Sequence, residues 1–379
     1  LWGFALSFAA LASFLASPVL GAIADYTFWK RRFLIGFAAV GASFACLMVF
    51  ITPGAVGLGV GLFVIAQFCY ISGNVFYNAF LPGLAGNAEM DALSSRGFAY
   101  GYMGGALQFA LSLALVSGHQ WLGISHDLAI RLALLSAGLW WAFFGWRALR
   151  RLRETRPPGG SATVQSFSHP VEAVSYGTRH AWKTLRALPA QKPLLLFFIA
   201  FVLYNDGVQT VIGVSAAYAS DELRLPASTI MFTFLLVQFV AFAGAYLFSF
   251  ASRRMGTRNA LLLSLVIWCG VVIYAYFLPE NDPKGFFILG IVVGLVLGGN
   301  QALSRSLFTK MIPEQAAAEY FGFFTIFHKL SAIAGPFLFG LFATWFGSAR
   351  PAILVLLVFF LLGGFLLSRL PNKATSIEH

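Results

Sequence analysis

Eleven long apolar runs divide this 379-residue chain, and they restrict its fold more than any other feature. A helix that crosses a bilayer needs about 20 apolar residues. Lipid offers the backbone no hydrogen-bond partners, so a spanning segment must satisfy its own N–H and C=O groups. We therefore expect an all-α polytopic membrane protein. The predicted spans are 1–24, 33–52, 55–82, 97–117, 128–148, 193–217, 228–250, 259–278, 285–306, 318–346 and 350–369.

The composition agrees with a protein that lies mostly in lipid. Of all residues, 59% are hydrophobic and 10% are charged, whereas about a quarter of a soluble protein is charged. The formal net charge of +11 would suggest nucleic-acid binding in a soluble protein. Here the basic residues lie in short loops between the apolar runs, so a membrane role explains them and no nucleic-acid partner is expected.

The basic residues also orient the spans. If the spans alternate in direction, 20 of the 25 Lys and Arg residues fall on one side, which is then cytoplasmic. This topology puts His379 inside and Leu1 outside. One further helix before Leu1 would restore a twelve-helix set with both ends inside, so we interpret the chain as eleven of twelve helices. The short loops favour a bacterial inner membrane.

The long basic segment in the middle divides the chain. We expect an amino-terminal transmembrane half at 1–148, a cytoplasmic linker at 149–192 and a carboxy-terminal half at 193–379. Residues 170–188 have the pattern of an amphipathic helix, with Val171, Val174, Trp182 and Leu185 on one face and basic residues beside them. Such a helix is typical of a membrane surface rich in anionic lipid. A solvated linker is the alternative.

Polar side chains within the spans mark a candidate binding site. Such side chains are costly in hydrocarbon and therefore face protein or water. The spans 33–52, 128–148, 259–278 and 350–369 have no Asn, Gln, Asp, Glu or Lys in their interiors. Other spans carry such residues at helical spacing, which predicts a polar cavity; hydrogen bonding between helices is the alternative. The candidate substrate-binding residues are Gln67, Asn74, Asn78, Asn205, Asp206, Gln209, Asn300, Gln301 and Lys329.

Asp206 and Lys329 are the only acid and the only lysine deep in the apolar runs. At about 1.5 Å per residue, both fall near the middle of their spans. We expect them to face one cavity and to form an ion pair with each other, to bind a charged substrate or to carry a coupling proton. A static ion pair that holds one state closed is the alternative.

Four charged residues at the cytoplasmic ends of spans are candidate gate residues: Asp25, Arg96, Arg305 and Glu319. A carboxylate such as Asp25 can bond to basic neighbours or to the amino end of a nearby helix, and such contacts can hold that side closed. Two glycine stripes, Gly97/Gly101/Gly105 and Gly290/Gly294/Gly298, have the spacing that permits close helix packing.

The chain carries no signature of an enzyme. It lacks a His-Glu-x-x-His zinc motif and a Gly-x-Ser-x-Gly elbow. It also lacks a phosphate-binding loop, so ATP-driven transport is not expected. Cys46, Cys69 and Cys269 lie inside apolar runs without metal-ligand spacing. We expect no catalytic residue, no cofactor and no metal.

Several strings resemble one branch of a known family. They are SPVLGAIAD at 17–25, YNAFLP at 77–82, SSRGFAYGY at 94–102, LYNDGVQT at 203–210, GNQALSRS at 299–306 and EYFGFF at 319–324, with Gly335 and Pro336 after it. Together they resemble the UMF1 branch of the major facilitator superfamily, which is related to the fungal vacuolar effluxer Atg22. The resemblance covers essentially the whole chain, except that the family's first helix is missing.

The resemblance implies the major facilitator fold, in which every third helix faces lipid and two six-helix halves rock about a midplane site. It implies a secondary transporter, working as a monomer on a small-molecule substrate with a coupling proton or sodium ion. Amino-acid efflux is implied through the fungal relatives. A cation-coupled sugar symporter is one alternative, and a polytopic intramembrane enzyme or sensor is another.

Overall fold

A computed structural model describes residues 2–154, 167 and 169–371. Within them the regular elements are helices, as the sequence predicts. The α-helices are α1 Trp2–Thr27, α2 Lys30–Leu47, α3 Val56–Ala79, α4 Leu81–Leu84, α5 Met90–Ser117, α6 His126–Leu149, α7 Pro170–Ala187, α8 Lys192–Ala217, α9 Ala227–Met255, α10 Thr257–Phe277, α11 Pro283–Thr309, α12 Ala317–Leu330, α13 Ala334–Phe346, α14 Ala349–Ile353 and α15 Val355–Ser368.

Eleven helical stretches among the described residues are long and apolar enough to cross a membrane, which confirms the predicted number. The limits of these helical stretches differ most from the predicted spans at two places. The fourth predicted span starts at 97, but α5 begins seven residues earlier, at Met90. The tenth predicted span, 318–346, is two helices, because the backbone turns at residues 331–333 between α12 and α13.

Part of the predicted linker, residues 155–166 and 168, lies outside the described residues. The predicted ends at Leu1 and His379 lie outside them too. The amphipathic helix expected at 170–188 is present as α7. The π-helical segment Tyr218–Glu222 extends α8.

The described residues form two compact units. Unit 1 contains those of 1–84, 107–186 and 312–326. In it α2 packs between α3 and α6, and glycines let the backbones approach closely. A Cβ at Gly138 would lie 2.6 Å from the backbone nitrogen of Cys46, closer than real contacts allow.

Unit 2 contains the described residues of 85–106, 187–311 and 327–379. Its largest interface joins α9 and α11, where the stripe Gly290/Gly294/Gly298 faces α9. A Cβ at Gly294 would lie 2.9 Å from the carbonyl oxygen of Val237. In the second stripe, nothing lies within 4 Å of a Cβ at Gly101, and a Cβ at Gly105 would lie 3.8 Å from Nε2 of Gln238. In the same unit, Trp268 of α10 stacks on Phe360 of α15 with ring centroids 5.6 Å apart.

Candidate functional site

In unit 1, the polar residues of α3 form an open face. Gln67, Asn74 and Asn78 are half-buried, while Tyr70 and Tyr77 between them are 54% and 44% exposed. Asn74 donates from its Nδ2 to the Tyr70 carbonyl oxygen at 3.0 Å. The opposite side of α3 is buried, with Ala66, Cys69 and Phe76 among its core residues. The helix therefore presents polar and aromatic groups on its least covered face.

In unit 2, α8 carries a buried polar cluster. Asn205 and Asp206 are each 2% exposed. The Asn205 amide donates to the Ser331 hydroxyl, and Asp206 Oδ1 accepts a 2.9 Å hydrogen bond from the backbone nitrogen of Gly335. Gln209, one turn further along α8, is half-buried. These contacts join α8 to the break between α12 and α13.

The break explains why Asp206 is stable where it lies. The first N–H groups of any helix have no partner within that helix, and a carboxylate near them is favoured by both hydrogen bonding and the helix dipole. Asp206 supplies this partner to α13. A Cβ at Gly335 would overlap the Thr210 hydroxyl and lie 2.7 Å from Asp206 Oδ1, so only glycine fits there.

Lys329 lies two residues before the break, at the end of α12, and is half-buried. Among the ion pairs of the described residues, none joins it to Asp206. The expected pairing of the two is therefore not seen, since the backbone of α13 satisfies the carboxylate instead. Lys329 nevertheless precedes the same interruption that Asp206 contacts through Gly335.

The two amide residues of α11, Asn300 and Gln301, have structural partners in unit 2. Asn300, 1% exposed, donates to the Ser264 hydroxyl of α10 at 3.0 Å. Gln301 Oε1 accepts a 2.7 Å hydrogen bond from the Tyr102 hydroxyl. Asn300 thus forms a hydrogen bond between helices, which is the alternative to a polar cavity that the sequence left open. A substrate-binding role for Asn300 or Gln301 stays a prediction.

A first charged cluster, the Asp25 cluster, lies in unit 1 and consists of Asp25, Lys30, Glu319 and the first turn of α12. The two Asp25 oxygens accept from the backbone nitrogens of Ala318 at 3.2 Å and Glu319 at 2.8 Å. Lys30 Nζ lies 2.7 Å from Oδ1. Asp25 thus makes both contacts considered from the sequence, and its gating role stays a prediction.

Close backbone contact supports this cluster. A Cβ at Gly322 would lie 2.7 Å from Pro18 Cα, so α12 crosses α1 with little space between their backbones. Glu319 is 2% exposed, and its carboxyl hydrogen-bonds Thr184 of α7. A further acid that sequence reasoning missed, Glu154, accepts from the backbone nitrogens of Lys30 and Arg31 at 3.2 Å each and caps α2.

A second charged cluster, the Asp91 cluster, lies in unit 2 and consists of Asp91, Thr257, Ser306 and Lys310. Asp91 Oδ1 accepts from Lys310 Nζ at 2.8 Å and from the Ser306 hydroxyl at 2.5 Å. Asp91 Oδ2 accepts from the Thr257 hydroxyl at 2.8 Å. The side chains of Lys310 and Asp91 are 7% and 8% exposed. Sequence reasoning missed this acid, although it stands in the first turn of a helix.

Of the two arginines predicted as gate residues, Arg305 is built into unit 2. It donates from Nε to the Ser94 hydroxyl at 3.0 Å and from Nη2 to the Ser94 carbonyl oxygen at 2.8 Å. Its guanidinium lies 4.3 Å from the ring centre of Phe98. Arg96, two residues from Ser94, is exposed. No group of three or more His, Cys, Asp or Glu side chains in the described part of the chain has the geometry of a metal site.

Comparison with known proteins gives a consistent family. Residues 1–377 match the family model described as vacuole effluxer Atg22 like. An MFS-type transporter, YxiO of Bacillus subtilis strain 168, is 28% identical over 376 residues, covering 99% of this chain and 85% of YxiO. Autophagy-related protein 22-2 of Neosartorya fischeri is 25% identical over 440 residues, covering 95% of this chain and 72% of that protein.

Solved structures share the fold at low sequence identity. The major facilitator transporter FucP in its outward conformation superposes with a TM-score of 0.72 at 12% identity, covering 98% of this chain and 90% of FucP. The human organic anion transporter MFSD10 gives a TM-score of 0.69 at 15% identity, covering 96% of this chain and 82% of MFSD10. At such identities the likeness shows the fold alone, and it confirms the major facilitator fold.

Proposed function

This chain belongs to the vacuole effluxer Atg22-like family, and we propose that it moves a small polar solute across a membrane by alternating access. Its family and fold make it a transporter of the major facilitator type and not an enzyme. We further propose the predicted halves, 1–148 and 193–379, as its moving parts. The carboxyl terminus is proposed to lie in the cytoplasm of a bacterium and the spans in its inner membrane.

One observation carries the proposal: the span at 314–346 is interrupted beside a buried acid. Interrupted helices deep in a bilayer are tolerated where they are buried in protein or line a water-filled cavity. In secondary transporters, substrates and coupling ions bind at such interruptions, because freed backbone groups and helix ends face the site. Asp206 and Asn205 bond to the two sides of this interruption, at Gly335 and Ser331.

The same interruption supports an amino acid as the solute. A zwitterion needs an acceptor for its ammonium group and a donor for its carboxylate. Asp206 and Lys329 offer these two charges on either side of residues 331–333. The family description, a vacuole effluxer, adds export as the direction. A proton or sodium ion is the proposed coupling ion, and Asp206 is the group proposed to bind it.

The test is counterflow of labelled amino acids in proteoliposomes, with and without a pH gradient. We expect saturable exchange, and we expect Asp206→Asn to slow it by about tenfold or more, the loss that follows from removing one charged partner of about 1.5 kcal/mol. Asparagine can still accept from Gly335 N, so the helix break should persist. The matched control is Asp127→Asn, which removes an exposed acid paired with Arg131.

Two outcomes would contradict the proposal. Exchange that is as fast in Asp206→Asn as in Asp127→Asn would remove Asp206 from the mechanism. Absence of amino-acid exchange by folded protein, with exchange of a labelled sugar in the presence of sodium or a proton gradient, would favour the sugar symporter. Catalytic turnover of a lipid or peptide by the purified protein would favour the alternative of an intramembrane enzyme.

A further inference from the structure

Helix α7 has one side fixed to unit 1 and one side uncovered. On the fixed side, a Cβ at Gly177 would lie 2.6 Å from the Val19 carbonyl oxygen, so the backbones of α7 and α1 are nearly in contact. The rings of Tyr176 and His180 pack on Tyr26, with centroids 5.1 and 4.5 Å away. These contacts hold α7 against the last two turns of α1.

The uncovered side is apolar. Val171, Val174, Trp182 and Leu185 are 77%, 53%, 54% and 40% exposed. At 3.6 residues per turn these four side chains fall within about 80° of arc, so they form one strip along the helix. A strip of this kind is costly in water and marks an interaction surface.

A basic edge runs along the same strip. Arg179, Lys183 and Arg186 are exposed and follow it on one side, and the Arg186 guanidinium lies 4.9 Å from the ring centre of Trp182. Glu172 is the only acid between residues 170 and 187. The surface therefore combines an apolar strip with net positive charge, as in helices that lie on anionic bilayers.

The depth at which α7 contacts α1 favours a bilayer as the partner of its uncovered side. Val19 lies eight residues before the end of α1, which corresponds to about 12 Å along a membrane-spanning helix. Interfacial helices place their apolar faces about 5–10 Å into the boundary between headgroups and acyl chains. A helix fixed at this level, and joined within five residues to the spanning helix α8, has the headgroup region beside it.

We propose that α7 binds the anionic phospholipid surface of the bilayer through the strip Val171/Val174/Trp182/Leu185 and the basic edge Arg179/Lys183/Arg186. This inference does not depend on the transported solute. It assigns a lipid contact to the carboxy-terminal part of the predicted linker.

The experiment is hydrogen–deuterium exchange of the purified protein in nanodiscs of phosphatidylcholine alone or with phosphatidylglycerol. Each basic residue close to an anionic surface adds attraction. We expect the anionic lipid to slow exchange at residues 170–187 by about tenfold in the unchanged protein, and by about twofold or less in Arg179→Gln/Lys183→Gln/Arg186→Gln. Val174→Ser/Trp182→Ser should speed exchange in both lipids.

A charge-matched control is Arg32→Gln/Arg253→Gln/Arg254→Gln, which removes three exposed basic residues outside α7. It should keep the full effect of anionic lipid at 170–187. Equal exchange in both lipids, or equal protection in the two triple variants, would overturn the proposal. Protection that follows protein concentration instead of lipid composition would assign the surface to a second copy of the chain and also overturn it.

Discussion

The Asp25 and Asp91 clusters both centre on a buried aspartate with a lysine at 2.7–2.8 Å, yet they are built in different ways. Asp25 is satisfied largely by main chain, because two of its three partners are the N–H groups that open α12. Asp91 accepts its hydrogen bonds within unit 2 from the side chains of Lys310, Ser306 and Thr257. A backbone partner cannot be removed by substitution, whereas each partner of Asp91 can.

This difference predicts which aspartate depends on its lysine. Lys310 is 7% exposed and Lys30 is 13% exposed, so both are costly to leave unpaired. Removing one member of a buried ion pair costs much more than replacing both, because the remaining charge keeps its desolvation penalty. The two clusters should therefore respond differently when the acid or the base is changed.

The largest effect is expected for Asp91→Ala. This substitution leaves the buried Lys310 without its carboxylate partner and removes the acceptor of two hydroxyl groups. We therefore expect a loss of about 3–5 kcal/mol in the free energy of unfolding. Denaturant titration in detergent measures it. The double variant Asp91→Ala/Lys310→Met should recover at least half of the loss. A double variant no more stable than the single one would show that the hydroxyl bonds, not the charge, hold the cluster.

A smaller effect is expected for Lys30→Met in the Asp25 cluster. Asp25 keeps its two backbone donors, so the loss should be about 1.5 kcal/mol, the lower end of the range for one hydrogen bond to a charged group. Asp25→Ala should cost about 2–3 kcal/mol, since it leaves the first turn of α12 uncapped and Lys30 unpaired. The same titration compares them, and equal losses for both variants would remove the distinction between main-chain and side-chain partners.

The sequence predicts a feature well when the residues that form it are close together along the chain, and poorly when its partners are distant. Apolar runs predict the spans, because the need to satisfy the backbone in lipid is local. Asp25 was found because it directly ends an apolar run. Asp91 was missed because it precedes the apolar run at 97–117, and its partners in unit 2, which lie far along the chain, place it in the first turn of α5.

The polar site shows the same limit. The expectation that Asp206 and Lys329 pair rested on their similar depth in two apolar runs. The break at 331–333 frees a backbone N–H of α13 for the Asp206 carboxylate, and depth alone does not predict that partner. The glycine stripes teach a similar lesson: their spacing is identical, but Gly294 on α11 lies close to the backbone of α9, whereas a Cβ at Gly101 on α5 would meet nothing within 4 Å.

The contribution of Glu319 to the stability of the Asp25 cluster should be small. Its Oε1 has no hydrogen-bond partner among the described residues, and its charge lies beside Asp25. Glu319→Gln keeps the shape and the contact with Thr184 but removes the like charge, so we expect a change of less than about 1 kcal/mol, toward greater stability. A loss above 2 kcal/mol would show that the ionised carboxylate is needed where it is. Asp91→Asn, which removes an acid from a basic partner, is the contrasting control.

The smallest effect concerns helix α7, which reaches the Asp25 cluster through Thr184. Burial, and secondly the charge of Lys183, lower the pKa of His180 below its ordinary value of 6.5. A helix released from α1 would return the imidazole to that ordinary pKa. The released form therefore binds a proton more readily, so the stabilisation of the docked form is complete above about pH 6.5 and decreases as the pH falls below it.

Acidification from about pH 7.5 to about pH 5.5 should thus speed hydrogen exchange at residues 170–187 by about twofold after correction for intrinsic rates, in nanodiscs of zwitterionic lipid. Peptides around Asp91 serve as the internal reference, because the Asp91 cluster contains no histidine. His180→Phe keeps a ring against Tyr26 and Tyr176 but cannot take up a proton, so it should abolish the change. If the variant responds to pH as the unchanged protein does, the prediction is wrong. A group other than His180 would then control how firmly α7 is held against α1.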